Sequence, residues 1–82
     1  MKRSQETQLL HNFERDSKWF HENINKLRKE GFTGKFVAVK DAKLFAFGED
    51  MNIVINKIEE KGGNPSHLFI EFVHPEGFTL IL

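Results

Sequence analysis

The chain contains no cysteine in 82 residues. That excludes disulfides, thiol chemistry and Cys-containing metal sites together. Small secreted domains commonly rely on disulfides, so a reducing, cytoplasmic setting is expected. No net charge is available either: 12 basic residues balance 12 acidic ones. A nucleic-acid binder usually carries a clear basic excess, because phosphate contacts dominate affinity. The asymmetry along the chain is mild, +3 over residues 1–41 and −3 over residues 42–82. Long hydrophobic runs are missing as well. None approaches the roughly 20 residues of a membrane helix, and Ser4 to Gln8 is polar where a signal peptide would be apolar. No membrane association is expected.

What is present is a short, phenylalanine-rich sequence, with nine Phe and one Trp. Its length allows one domain, and stability must come from packing or oligomerisation. The first third has helical spacing. Leu10, Phe13, Ser17, Phe20, Ile24 and Leu27 form one stripe with a polar gap at Ser17. Two arrangements fit: a single helix from about Ser4 to Glu30, or an arm over residues 1–16 followed by a helix capped by Asp16 or Ser17. The favoured reading is a helix over about 17–30, stopped by Gly31, within a single domain over 17–82.

The most informative stretch follows, Gly34 to Gly48. Two apolar runs flank Lys40-Asp41-Ala42-Lys43, which reads as a β-hairpin. A two-residue turn would want Gly after Asp41, so a four-residue type I turn fits Ala42 better. The spacing pairs Val39 with Leu44, Val37 with Ala46 and Phe36 with Phe47. It places Val37, Val39, Leu44 and Ala46 on one face, and Phe36, Ala38, Phe45 and Phe47 on the other. Glu49-Asp50 then opens a second helix, with Asp50 as its cap and Met51, Val54, Ile55 and Ile58 as its stripe. Gly62-Gly63 stops it. Leu68 to Val73 is a third strand, apolar enough to be central in a sheet. His74-Pro75-Glu76-Gly77 suits a type I turn, and Phe78 to Leu82 suits a short fourth strand. The fold class is α+β, in the order α-β-β-α-β-β, with two helices on a small, mainly antiparallel sheet of three to four strands.

From Trp19 to Glu76 these pieces resemble a small family of uncharacterised domains found in archaea and bacteria. The resemblance rests on Trp19, Gly34-Lys35-Phe36-Val37-Ala38, Asp41-Ala42-Lys43, Gly48-Glu49-Asp50, the helix Met51 to Lys61, and the strand Leu68 to Val73 before His74-Pro75. Ala42 stands where that family's pattern has glycine. The resemblance implies the same fold order and no activity.

Chemistry-bearing patterns are sparse. His11, His21, His67 and His74 lack the i, i+4 pairing of a zinc helix. Gly31 to Lys35 lacks Walker spacing and follows a helix, so it is a helix stop rather than a phosphate loop. The acids sit mostly at helix ends or on polar faces, and only Glu71 interrupts an apolar strand. No catalytic residue, cofactor or metal is therefore expected.

Two features point to binding. Phe36, Phe45 and Phe47 would share a sheet face with Lys35 nearby, and Phe78, Leu80 and Leu82 alternate along a β-prone run. Together they suggest a non-enzymatic protein-interaction module or a homo-oligomer, most simply a dimer. The alternative is a small RNA-binding domain that stacks bases on the same aromatic face.

Overall fold

A computed structural model describes residues 2–76, with side chains from residue 8. The α+β architecture expected from the sequence is what the chain adopts. Helix α1 spans Lys2–Glu22 and α2 spans Ile24–Lys29. Strands β1 (Phe36–Lys40) and β2 (Lys43–Gly48) form the hairpin, followed by α3 (Met51–Glu60). A 3-10 turn at Pro65–His67 leads into β3 (Phe69–Phe72). The anticipated fourth strand, Phe78 to Leu82, and the Gly77 position of the turn before it lie outside the described residues.

The helical stripe near the N-terminus is continuous but bent. α1 does not begin at Asp16 or Ser17; it runs through them and yields to α2 at Asn23. There the Asn23 side chain donates to the Trp19 carbonyl at 2.9 Å. That carbonyl also receives the Asn23 backbone N–H at 3.0 Å. Competition of this kind loosens a helix locally. Phe20 of α1 and Leu27 of α2 are seven positions apart, on one helical face, and both reach one core, where each is 2% exposed.

Helix ends follow local chemistry closely. Asp50 caps α3 by accepting the Ile53 N–H at 3.0 Å. Gly31 and Gly62 take positive φ after α2 and α3. At both ends the residue after the glycine donates back to the helix, Phe32 to Leu27 at 3.0 Å and Gly63 to Ile58 at 2.9 Å. The two helices thus close with the same Schellman pattern.

The sheet order is β2-β1-β3, with β1 antiparallel to both neighbours. Among the described strands β1 is central; the strand expected over Phe78 to Leu82, which would flank β3, lies outside the described residues. Val37, Ala38 and Val39 are consecutive and all fully buried, so both sheet faces are covered. α1 and α2 cover one face, where Phe20 and Leu27 meet Val37, Val39 and Val73. α3 covers the other, where Val54 and Ile58 meet Ala38 and Ala46.

A bulge changes the expected pairing. Val39 faces Leu44, but Ala38 faces Ala46, Val37 faces Phe47 and Phe36 faces Gly48. Phe45 is the extra residue. Everything after it on β2 moves by one, which exchanges faces. Ala46 goes to the α3 side, and Phe47 goes to the α1–α2 side, where its ring meets Phe32 at 4.8 Å. The small Ala38–Ala46 pair lies directly beneath Val54 and Ile58.

The hairpin turn is two residues long, and both Asp41 and Ala42 have positive φ, 52° and 57°. It is the type I′ turn that strand twist prefers, despite alanine's aversion to this region. The compensation comes from far away in sequence. Asp16, 3% exposed on α1, accepts the Ala42 N–H at 2.8 Å. Arg15 donates to the same carboxylate at 3.1 Å and to Asp41 at 3.2 Å. The hydrogen bond to Asp16 is the main reason the Arg15 guanidinium is held above its usual basicity, and it stays charged.

Ala42→Gly relieves the left-handed strain and should stabilise the domain by roughly 0.5–1 kcal/mol after the greater chain entropy of glycine is counted. Asp16→Ala leaves the turn amide unsatisfied and should cost about 1–3 kcal/mol. Urea unfolding of the two variants checks both signs, and a lower midpoint for Ala42→Gly would contradict the strain argument.

Candidate interaction edges

The sheet has two edges, and the residues at them are treated differently. Along β2, two lysines from α3 reach the strand backbone. Lys57 Nζ donates to the Phe47 carbonyl at 2.8 Å. One helical turn on, Lys61 Nζ donates to the Phe45 carbonyl. The i, i+4 spacing on α3 matches the two-residue step on β2, so each ammonium meets a successive outward carbonyl. The same ammoniums lie over the rings of the residues they cap, at 4.9 Å from Phe47 and 5.0 Å from Phe45. Lys35 and Lys40 approach the two rings at 5.5 Å each. Cation and carbonyl together occupy the edge that another strand would need.

The aromatic face expected from the sequence does not survive the bulge as one surface. Phe36 and Phe45 pack against the core beneath α3, with Phe36 also meeting Phe72 at 5.1 Å. Phe47 lies on the opposite face and is 37% exposed. Lys35 stays close to Phe47 and not to the other two rings. Phe78, Leu80 and Leu82 lie outside the described residues.

β3 forms the other edge of the described sheet. Val73 donates to the Lys35 carbonyl at 2.9 Å, which marks the residues facing β1. By the alternation of an antiparallel ladder, the amides and carbonyls of Ile70 and Phe72 point outward. Among the described residues no lysine bonds to them, in contrast to β2. Beside this edge, Phe69 of β3 and Phe13, Glu14, Ser17 and Lys18 of α1 line an open groove of about 450 Å³. Leu10, one turn earlier on α1, is 57% exposed. The helical stripe read from the sequence thus continues past its polar gap at Ser17 along this groove. Glu71 is exposed on β3.

Other sequence candidates remain dispersed. Among the described residues no three His, Asp or Glu side chains are placed to share a metal ion, and no helix is long and apolar enough to cross a membrane. His74 is engaged at the end of β3, where Arg28 donates to its carbonyl at 2.9 Å.

A family model matches residues 28–76, from within α2 through β3. The chain belongs to a family of unknown function, DUF5678. The matched stretch is more than half of the chain and contains both sheet edges and α3. It excludes α1, so the groove beside β3 and the Asp16 support of the turn are built partly from residues outside the match. No curated protein and no solved structure matches the chain.

The lysine caps carry a direct expectation. Replacing Lys57 and Lys61 together with alanine uncovers the β2 edge. Light scattering should then show concentration-dependent association beyond the parent chain's own mass, with helical circular dichroism retained. An unchanged mass would mean that the caps do not protect this edge.

Proposed function

We propose that this domain is a non-enzymatic module that self-associates by strand addition at the β3 edge. The contrast between the two edges carries this reading: β2 is capped by lysines, whereas β3 offers outward backbone groups beside an apolar groove. The donor is residues 78–82 of a second copy. Phe78, Leu80 and Leu82 alternate, so on an added strand all three would face one side, as the groove of Phe13 and Phe69 requires. A twofold axis lets each copy give and receive one strand, which closes the assembly as a dimer. The cysteine-free composition suits a cytoplasmic protein.

A second reading has its own support. Phe47 is partly exposed between the ammoniums of Lys35 and Lys57, an arrangement on which a base of single-stranded RNA can stack. Phe36 has no part in it.

Solution mass decides the first reading. The parent chain should be a dimer, and Leu80→Asp with Leu82→Asp should make it monomeric with its helical signal intact. A monomeric parent across the concentration range overturns self-association. For the second reading, a mixed-sequence RNA oligonucleotide should bind at low salt and weaken with Lys35→Ala. Absence of binding at low salt ends it.

A further inference from the structure

A second concavity lies away from both edges. α1, the hairpin turn and the loop after α3 enclose a cavity of about 280 Å³, near the lower end of the range for small-ligand sites. Asn12, Arg15, Lys40, Asp41, Asn64 and His67 are among the side chains around it. The core explains the apolar part of its wall, but not this concentration of polar groups from three separate elements.

The polar atoms at the cavity are unequally engaged. Its oxygens are largely occupied. Asp16 accepts from Ala42 and Arg15 with one oxygen and from Arg15 with the other. Asn12 Oδ1 accepts from Gln8 at 3.2 Å. Asn64 Oδ1 accepts from the Ser66 N–H at 3.0 Å and its hydroxyl at 2.8 Å. Asp41 Oδ1 accepts from Arg15, which leaves its second oxygen as the exception. The backbone N–H of Ser66 also fixes which end of the Asn64 amide is nitrogen. Among the described residues no partner engages a set of donors: the amide nitrogens of Asn12 and Asn64, Nη1 of Arg15, the ammonium of Lys40 and a ring nitrogen of His67. Lys40 meets only the Phe45 ring, and the ion pairs of the described residues all belong to Arg15.

A site whose unmet groups donate takes a ligand that accepts. We propose that this cavity binds a small oxyanion, a carboxylate or phosphate group, held by Lys40, Asn12, Asn64 and His67, with Arg15 at its side. Asp16 and Asp41 offset the charges of Arg15 and Lys40, so the ligand is held by directed hydrogen bonds more than by net field. Asp16 has a double role: it secures the turn and fixes the guanidinium beside the cavity.

The test is amide NMR on the full chain, titrated separately with inorganic phosphate and with acetate at constant ionic strength. Saturable shifts should be confined to Ala42, Gly62, Gly63 and His67, and the stronger of the two titrations identifies the preferred group. Lys40→Gln should weaken binding about tenfold, the loss of one charge-assisted hydrogen bond. Lys29→Gln, on an exposed part of α2, should leave it unchanged. Shifts that do not saturate with either ion, or equal affinity in the Lys40→Gln variant, overturn the proposal. The outcome is independent of whether the domain self-associates.

Discussion

The constraint on which this structure depends is a strand that is apolar on both faces. Val37, Ala38 and Val39 are adjacent and fully buried. Side chains alternate along a strand, so no single layer can cover all three. An 82-residue chain must therefore place helices on both sides of a three-stranded sheet. That requirement explains the division of labour. α1 and α2, joined at the Asn23 bend, shield Val37 and Val39. α3 alone shields Ala38, and it can do so because Ala46 opposite is equally small. Most of the phenylalanines then serve the core, and surface function falls to what the two layers leave open.

The two edges show how the same helices that build the core also decide the exposed chemistry. α3 runs beside β2 closely enough for Lys57 and Lys61 to reach its carbonyls. α1 lies beside β3 with Phe13, Ser17 and Lys18 facing a groove instead of a capped backbone. A capped edge resists strand pairing, and an uncapped edge beside apolar side chains favours it. The asymmetry follows from where the lysines reach: Lys57 and Lys61 of α3 bond the β2 carbonyls, whereas Lys18 of α1 lines the groove.

The hairpin turn links the two layers. Its left-handed alanine is tolerated because a buried carboxylate from α1 receives the turn amide. This contact spans 26 residues and ties the first helix to the tip of the hairpin. It also brings Arg15 and Asp16 beside Lys40, Asn64 and His67, and so forms a concavity in which charged groups from distant parts of the chain converge.

Much of the local architecture was legible in the amino-acid sequence, because its causes are local. Asp50 caps α3, Gly31 and Gly62 end helices, and the apolar runs around Asp41 make a hairpin. Each depends on residues within a few positions. Three features were decided only by tertiary packing. Phe45 is bulged, which sends Ala46 and Phe47 to the faces opposite to those that simple alternation assigns. β1 lies between β2 and β3, an order of the described strands that no local pattern sets. Asp16 reads locally as a helix cap, yet it supports a turn and sits within α1. In each case the choice rests on non-local contacts: the fit of Ala46 beneath Val54 and Ile58, the order of strands around β1, and a hydrogen bond across 26 residues. No local pattern encodes these, because a one-residue shift in register leaves the sequence unchanged and reverses every side chain that follows.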